Sequence, residues 1–312
     1  KLADYHIKLR PGTNVAVLNM MLHFIIKSKL YNADFVRDRT EGFDNFLKEI
    51  ERQDVDHLAK VAGVDKQLVK EAAIAYATAR NSMEFHGLGV TEHEQGSKTV
   101  MLIADLAMIT GNIGRKGVGV NPLRGQNNVQ GAADMGCQPH QGAGYFPVAD
   151  EKHQEFYTEK YGVTHPTKPG LKIPQMFEAA INKELKGLWI IGEDIVQTDP
   201  NSAHVIEAMN SLELLVVQEI FMSETAKLAT VVLPGTTFLE KDGTFTNTER
   251  RIQRVNRAVP PLPGTKPDGL IVTEMMQKLG FDQPTYDADQ VLAEIADIVP
   301  FFKGVTLSLI HI

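Results

Sequence analysis

The sequence has 312 residues, of which 43% are hydrophobic, and its formal net charge at pH 7 is −7. A chain of this length can bury one large hydrophobic core or two ordinary ones. The acidic balance argues against nonspecific binding of nucleic acid, which requires clustered Lys and Arg. No apolar run reaches the roughly 18 residues of a membrane span, because Asn19 and His23 interrupt the longest candidate. We therefore expect neither a nucleic-acid partner nor a direct membrane span.

The cysteine content and the two ends of the chain give further expectations. The single cysteine, Cys137, cannot by itself form a disulfide, a zinc site or an iron–sulfur site, so we expect no metal ligand in this segment. The sequence does not begin with Met, which predicts that the start of the gene product is missing. We expect a cytoplasmic location. Residues 307–312 resemble a translated sequencing adaptor and are predicted to be a non-native tail, with an ordinary apolar tail as the alternative.

Apolar runs of strand length alternate with helical patterns along the chain. This order predicts an α/β fold with layered domains and mostly parallel sheets. In the first part of the chain, the patterns predict helices over residues 15–30, 65–80 and 97–110, and a short strand over residues 83–85. Asn14 and Asp65 are the predicted N-caps of the first two helices. Residues 86–93 are predicted to form a loop.

The middle of the chain has less regular patterns. Residues 111–144 are rich in Gly, Asn and Gln, and we predict a long irregular segment that is functional or disordered. Residues 150–172 are polar and are interpreted as an insertion or a domain connection. A second α/β set follows, with strands predicted over residues 188–191, 212–217 and 230–233, and helices over residues 201–209, 225–228, 268–279 and 287–298. Residues 239–257 are predicted to be turn-rich and charged.

Ligands of open α/β sheets bind beyond the carboxyl ends of the strands. The predicted loops in this position with polar side chains span residues 87–96, 192–198, 218–225 and 240–251. Taken alone, Glu193 and Asp194 fit a solvated turn, and Gln218 and Glu219 could begin a helix. No Gly-x-Gly-x-x-Gly pattern follows a strand, so a NAD-binding Rossmann domain is poorly supported.

Residues 121–132 combine several side-chain amides with Arg124 and two glycines. Amides donate and accept hydrogen bonds, which suits the edges of a heterocycle, and glycine allows the backbone to approach a ligand closely. An arginine presents a fork of donors that matches a carboxylate. Composition alone nevertheless slightly favours a polar surface loop over a ligand site.

Residues 241–251 form a second dense polar segment. A turn with glycine, hydroxyls and the paired Arg250 and Arg251 suits a phosphate or pyrophosphate. A hairpin with a charged face is the alternative, and composition does not separate the two.

The amide-rich segment also carries a family resemblance. Residues 123–131 (LRGQNNVQG), followed by Asp134-Met135-Gly136, resemble a hallmark of the molybdopterin-dependent formate dehydrogenases. Further segments match the family in order and spacing, namely residues 110–114, 89–93, 192–194, 218–221 and 239–251. The resemblance covers residues 4–305 and implies an internal fragment of a catalytic (alpha) subunit. The implied fold consists of αβα layered domains with mostly parallel sheets, as in the central domains of molybdopterin oxidoreductases.

The resemblance also implies a domain division and a set of cofactors. Residues 1–125 would be the later part of one αβα cofactor-binding domain and residues 126–238 the later part of a second, with residues 239–306 as a linking segment. The two domains would flank a bis-molybdopterin guanine dinucleotide (bis-MGD) with molybdenum or tungsten. A [4Fe-4S] cluster, the Cys or selenocysteine metal ligand and a neighbouring His would lie upstream of this segment.

The implied reaction moves a hydride equivalent from formate to the metal centre and releases CO2. Arg124 would orient the formate carboxylate, and Gln126 and Asn128 would line the substrate and pterin wall. The implied contacts to the two dinucleotides are Gly12, Thr13, Asn14, Leu88, Glu92, Glu193, Asp194, Gln218, Glu219, Lys241 and Asp268. Related enzymes often have Gln where this sequence has Glu92. Iron–sulfur or flavin electron-transfer subunits would be the protein partners, and the isolated fragment is expected to be inactive.

Three other readings remain open from the sequence. Another molybdopterin oxidoreductase, such as a nitrate reductase, usually lacks the arginine that stands here at Arg124. A non-catalytic iron–sulfur subunit of the same fold would have no reason to keep Arg124, Lys241 and the amide-rich loop together. An unrelated α/β binding protein is disfavoured by the ordered series of motifs.

Overall fold

The chain divides into two units, Lys1–Gln126 and Asn127–Ile312, in a computed structural model that describes residues 2–308 and 310. Both units combine helices with short parallel sheets, so the predicted α/β fold class is confirmed. No helix among the described residues combines the length and the apolar character needed to cross a membrane.

The first unit is a helical layer on a two-stranded parallel sheet. Its helices are α1 (Asn14–Lys27), α2 (Ala33–Arg39), α3 (Phe43–Glu51), α4 (Val55–Ala62), α5 (Lys66–Thr78), α6 (Leu88–Thr91) and α7 (Gly96–Ile109). Its strands are β1 (Met83–His86) and β2 (Gly119–Pro122), which pair in parallel with Met83 opposite Gly119. The two strands therefore end side by side, at His86 and Pro122.

Helix α1 forms the centre of the first unit, because it packs against α3, α4, α5 and α7. Its residues Met20, Leu22 and Ile25 are completely buried. The predicted cap at Asn14 is wrong by one residue: Thr13 occupies the N-cap position and Asn14 is the first helical residue. The hydroxyl of Thr13 donates to the carbonyl of Arg10 at 2.6 Å instead of capping the helix.

The other predictions for the first unit have mixed outcomes. Asp65 caps α5 as predicted, since its carboxylate accepts a hydrogen bond from the amide of Gln67. The predicted helix over residues 97–110 and the strand over residues 83–85 are confirmed as α7 and β1. The predicted loop over residues 86–93 contains the short helix α6. The predicted irregular segment over residues 111–144 contains β2, a strand held by backbone pairing to β1 rather than by a side-chain pattern.

The second unit contains a three-stranded parallel sheet and a separate hairpin. Its helices are α8 (Val129–Asp134), α9 (Glu151–Tyr161), α10 (Ile173–Ile181), α11 (Ile195–Thr198), α12 (Ser202–Asn210), α13 (Asp268–Lys278) and α14 (Ala288–Ile298). The parallel strands are β3 (Gly187–Ile191), β4 (Leu214–Glu219) and β5 (Val231–Pro234), in the order β3-β4-β5. Strands β6 (Gly243–Thr246) and β7 (Ile252–Val255) form an antiparallel hairpin. Single turns of 3-10 helix span Ala143–Tyr145, Ala226–Leu228, Phe238–Glu240 and Pro300–Phe302.

The core of the second unit lies around β4. Leu215 and Val217 of this central strand are buried, together with Val205 and Ala208 of α12. A parallel strand that is covered by helices has a nearly continuous apolar sequence, which makes it recognisable. The strands predicted over residues 188–191, 212–217 and 230–233 are confirmed, with small shifts at their ends.

Two further segments of the second unit differ from the sequence expectations. The polar segment over residues 150–172 contains α9, whose helical start depends on the Asp150 carboxylate accepting from the amide of Lys152 at 3.0 Å. At the C-terminal end, Leu307 is buried with Leu292, Val299 and Phe302. That residues 307–312 form a non-native tail stays a prediction. Leu309, His311 and Ile312 of this tail lie outside the described residues.

Candidate functional site

The carboxyl edge of the β3-β4-β5 sheet gathers polar side chains from several loops. Glu193 and Asp194 follow β3, and Gln218 and Glu219 are the last residues of β4. The amide of Gly192 donates to the carbonyl of Gln218 at 2.8 Å, so the ends of these two strands are held together. This is the edge at which open α/β sheets bind their ligands.

A chain of polar contacts joins three of the predicted site residues at this edge. The Nε2 atom of Gln218 donates to Oδ1 of Asp268 at 2.7 Å. The ammonium of Lys241 forms an ion pair with the other oxygen of the same carboxylate. These three residues come from β4, from the segment before β6 and from the start of α13, so only the folded chain brings them together.

Gln218 leaves one polar atom without a partner. Its side chain is 1% exposed, and among the described residues its Oε1 atom has no hydrogen-bond partner. The carboxylate of Asp268 only accepts hydrogen bonds, which directs Nε2 toward it and leaves Oε1 as an unused acceptor. A buried acceptor without a donor costs about 1–3 kcal/mol. The residues present therefore fit a ligand that supplies a hydrogen-bond donor at this edge.

An open cleft of about 310 Å³ lies beside these residues within the second unit. Its lining includes three predicted site residues, Asn128, Lys241 and Asp268, as well as Gly269 and Tyr286. The ring of Tyr286 lies directly against Gly269, where an added Cβ would be 2.2 Å from the ring. Sequence reasoning missed Gly269 and Tyr286. The only signal was an isolated glycine inside a predicted helix, which can mark a close approach.

The carboxylate of Asp194 accepts several hydrogen bonds from neighbouring segments of the second unit. Its carboxylate accepts hydrogen bonds from the backbone and hydroxyl of Thr225, at 3.0 and 2.6 Å, and from the side chain of Gln197 at 2.6 Å. Burial alone would raise the pKa of Asp194, but the hydrogen bonds from Thr225, Gln197 and Glu224 outweigh it and lower the pKa. Asp194 thus fixes the loop after β3 to the loop after β4.

The two neighbouring glutamates at this edge are more open. An oxygen of Glu193 lies 3.5 Å from the hydroxyl of Thr198, and an oxygen of Glu219 accepts from the amide of Ile220 at 2.7 Å. Glu193 is exposed and Glu219 is half-buried. Both carboxylates therefore remain accessible for further contacts at the sheet edge.

In the first unit, Arg124 lies on the loop directly after β2. The amide of Leu123 donates to the carbonyl of His86 at 2.7 Å, which holds this loop at the carboxyl ends of both strands. A Cβ at Gly125 would lie 3.7 Å from the side chain of Leu88, so the arginine loop packs against the loop after β1. The side chains of Arg124 and Gln126 are exposed.

Glu92 and the Gly12–Asn14 turn are the other predicted site residues of the first unit. Glu92 is exposed and ends α6, with its amide bonded to the carbonyl of Leu88 at 2.9 Å. Gly12 has φ +81°, a conformation that favours glycine, and it leads into Thr13 and α1. The contacts of this turn run through Arg10, whose guanidinium donates to the carbonyls of Lys60 and Val61 at the end of α4.

Asn128 begins α8 in the second unit and is held by the hairpin. Its Oδ1 atom accepts from the backbone amide of Thr246 at 2.9 Å. Its backbone has φ +63°, which asparagine adopts more readily than most residues. A Cβ at Gly131 would lie 2.1 Å from this Oδ1 atom, so the glycine leaves the space that the Asn128 side chain fills.

The charged segment over residues 241–251 forms the β6–β7 hairpin. Of the paired arginines at its turn, Arg250 contacts the buried carboxylate of Asp134 at 3.3 Å, and Arg251 lies 3.8 Å from Glu249. Of the two alternatives that composition left open, the structure therefore has the charged hairpin. Arg250 forms an ion pair with the side chain of Asp134.

Comparisons with known proteins agree with this architecture. The sequence profile of the molybdopterin oxidoreductase family matches residues 1–278. The F420-dependent formate dehydrogenase subunit alpha of Methanocaldococcus jannaschii is 42% identical over all of this chain and 46% of its own length. Formate dehydrogenase H of Escherichia coli is 39% identical over 98% of this chain and 43% of its own length. The chain thus spans about half the length of the curated relatives it matches.

A solved structure gives the same result for the fold. The acetylene hydratase of Pelobacter acetylenicus superposes with a TM-score of 0.74 over 98% of this chain and 45% of that protein, at 19% sequence identity. At this identity the likeness concerns the fold alone. The family profile covers most of the chain and implies a molybdopterin cofactor. The chain belongs to the molybdopterin oxidoreductase family.

Proposed function

We propose that this chain is part of a formate dehydrogenase catalytic subunit, which oxidises formate to CO2 or runs the reverse reaction, with Arg124 orienting formate. The observation that carries the proposal is the position of Arg124, exposed on the loop after β2 at the carboxyl ends of a parallel strand pair. Ligands of open α/β sheets bind at such ends. The formate dehydrogenase names of relatives at 42% and 39% identity support it.

The chemistry of an arginine suits the role given to Arg124. An arginine side chain presents paired donors whose geometry matches a carboxylate, so formate would be bound in one orientation. Holding the substrate in one orientation removes the entropic cost of aligning it in the reaction step. A shift of the substrate by about 1 Å can lower the rate roughly 100-fold. The hydrogen bond from Leu123 to His86 fixes the loop that carries the arginine. Arg124 therefore acts by position and charge, without being consumed.

The cofactor of the proposed enzyme is a bis-MGD centre with molybdenum or tungsten, which supplies two-electron redox chemistry when bound. Gln126 and Asn128 are proposed to line the substrate and pterin wall. Gln218 would contribute its unused Oε1 acceptor, and Lys241 a cation for a pyrophosphate oxygen. The remaining proposed contacts to the dinucleotides are Gly12, Thr13, Asn14, Leu88, Glu92, Glu193, Asp194, Glu219 and Asp268.

The proposal also concerns parts beyond this chain. A [4Fe-4S] cluster and the Cys or selenocysteine metal ligand would lie in the upstream part of the subunit, and electrons would leave through iron–sulfur or flavin subunits. The relative from Methanocaldococcus jannaschii is named as a subunit alpha, which supports the presence of partner subunits. The cytoplasmic location stays a prediction.

The test is an assay of the full-length gene product, purified without oxygen, with its metal content measured. We expect molybdenum or tungsten in the protein and formate-dependent reduction of a viologen dye. We expect no oxidation of reduced viologen by nitrate. Nitrate-dependent oxidation without formate activity would replace the proposal with a nitrate reductase. A protein with neither metal nor activity would be a non-catalytic subunit, and the role of Arg124 would be withdrawn.

The 312-residue chain alone gives a second test. We expect it to be inactive, because the proposed metal ligand and cluster lie outside it. Formate oxidation by this chain alone would contradict the proposal.

A further inference from the structure

Helix α8 begins within the amide-rich segment over residues 121–132, directly after Asn128, and it is only six residues long. A helix of this length is not stable by its own backbone hydrogen bonds. Its start is fixed by the contact between Asn128 and the amide of Thr246. Its end must also be fixed if Asn128 is to keep one position.

The end of α8 carries a buried carboxylate. Asp134 is 2% exposed, and its Oδ1 atom accepts from the Gln130 side chain at 2.9 Å, from the Tyr145 hydroxyl at 2.7 Å and from Arg250 at 3.3 Å. A negative charge at the C-terminal end of a helix is opposed by the helix dipole. A buried charge also needs an opposite charge or several hydrogen bonds to be tolerated. The short helix therefore depends on the cation of Arg250.

Arg250 is held in place by aromatic rings. Its guanidinium carbon lies 5.6 Å from the ring centres of Tyr145 and Phe301, and its Nη2 atom lies 3.3 Å from the Tyr145 hydroxyl oxygen. The hydrogen bond with Tyr145 is the main reason that the pKa of Arg250 is raised. The cation is thus fixed on two sides while it faces Asp134.

The backbone gives independent support. Asn128, Tyr145 and Arg250 have φ values of +63°, +64° and +60°, and they are three of the six non-glycine residues with positive φ among the described residues. This conformation is unfavourable for tyrosine and arginine, and it persists only where surrounding contacts determine it. The same three residues form the contacts at the two ends of α8.

We propose that Arg250 is a positioning residue, which fixes α8 through the buried carboxylate of Asp134 and so keeps Asn128 in place. The anchoring of α8 stands on the geometry alone. Its effect on catalysis rests on the proposed function, in which Asn128 lines the substrate and pterin wall. The paired arginines of the hairpin turn then have different roles, because Arg250 contacts the buried carboxylate of Asp134, whereas Arg251 faces the exposed carboxylate of Glu249.

The first test measures amide hydrogen exchange over residues 128–134 in the full-length, cofactor-loaded protein. We expect Arg250→Met to raise exchange in this segment by about tenfold or more, and Arg250→Lys to give an intermediate value. The matched variant Arg251→Met should leave exchange unchanged. Exchange in Arg250→Met equal to wild type would overturn the proposal, and so would an equal rise in Arg251→Met.

A charge-compensated double variant separates anchoring from general loss of packing. In Arg250→Met/Asp134→Asn, the buried charge and its cation are removed together, and the Asn oxygen can still accept from Tyr145 and Gln130. We expect the double variant to exchange more slowly than Arg250→Met alone. An additive increase would mean that the Asp134 charge does not connect Arg250 to α8.

The last step is tested by formate kinetics of the same proteins. We expect Arg250→Met to raise KM for formate by about tenfold while kcat changes less, with Arg250→Lys between it and wild type. Unchanged KM with increased exchange would overturn the link to Asn128 but not the anchoring. An inactive wild-type protein would instead overturn the proposed function, and the exchange result would still decide the anchoring.

Discussion

The side-chain amide of Gln218 donates a 2.7 Å hydrogen bond to Asp268, which lies 50 positions further along the chain. This contact attaches the start of α13 to the carboxyl end of β4. It also completes the polar chain to Lys241 and leaves the Oε1 atom of Gln218 as the unused acceptor at the sheet edge.

Removing the shared carboxylate tests this polar chain. In Asp268→Ala, the buried Gln218 amide loses its acceptor, which costs about 1–3 kcal/mol, and the half-exposed ion pair with Lys241 adds at most about 1 kcal/mol. We expect the free energy of unfolding in urea to fall by about 2 kcal/mol. The control Asp282→Ala, in an exposed loop, should change it by less than about 0.5 kcal/mol. Equal stability of the two variants would contradict the importance of the contact.

For Gly269→Ala we expect a loss of stability, although alanine has a higher helix propensity than glycine. Replacing a helical glycine by alanine ordinarily stabilises a helix by up to about 1 kcal/mol. Here the added Cβ would lie 2.2 Å from Tyr286, so we expect Gly269→Ala to destabilise the protein by about 1–3 kcal/mol in urea unfolding. Gly243→Ala, whose Cβ would have no atom within 4 Å, is the matched control. A stabilised Gly269→Ala protein would show that Tyr286 does not pack there.

Asp194 predicts a loss of stability in acid. Burial alone would raise its pKa, but hydrogen bonds from Thr225, Gln197 and Glu224 lower the pKa below its unfolded value. Its contribution is therefore fully present above the unfolded pKa of about 3.9, and it is lost as the pH falls through the folded pKa. Urea midpoints should show Asp194→Asn as less stable than wild type at pH 7, with the difference shrinking below about pH 4. A difference that is constant from pH 2 to 7 would argue against this account.

Glu84 in the first unit predicts the opposite pH dependence. Burial raises its pKa, and the hydrogen bond from the Tyr76 hydroxyl offsets this only in part. Its contribution is fully present below the unfolded pKa of about 4.3, and it is lost as the pH rises through the folded pKa. We expect Glu84→Gln to gain stability relative to wild type between pH 4 and pH 7 in the same urea measurements. The exposed Glu94→Gln should show no such trend; the same trend in both variants would rule out burial as the cause.

The sequence predicts the elements whose stability is local. Helix α5 has the Asp65 cap and a regular apolar spacing, and β3 and β4 are apolar because helices cover them. Strand β2 and helix α8 escaped prediction because distant contacts hold them. Strand β2 depends on pairing with β1, and α8 depends on Thr246 and Arg250, more than 100 positions away.

The candidate site follows the same division. Its position could be predicted because the carboxyl ends of parallel strands meet at one edge, which places Asp194, just after β3, near Gln218 at the end of β4. The partners of the side chains could not be predicted from the sequence. That Asp194 accepts a hydrogen bond from the Thr225 hydroxyl, and that Tyr286 lies against Gly269, depends on the packing of separate segments.

The proposed role of Arg124 is tested most directly by formate kinetics of the full-length enzyme carrying Arg124→Ala, compared with Arg124→Lys and with the exposed control Arg80→Ala. We expect kcat/KM for formate to fall by about 100-fold or more in Arg124→Ala, because the carboxylate loses its paired donors. Arg124→Lys should recover part of this loss, Arg80→Ala should match wild type, and metal and pterin content should be the same in all four proteins. Formate kinetics of Arg124→Ala that equal those of wild type, at equal cofactor content, would contradict the assignment of Arg124 as the residue that orients formate.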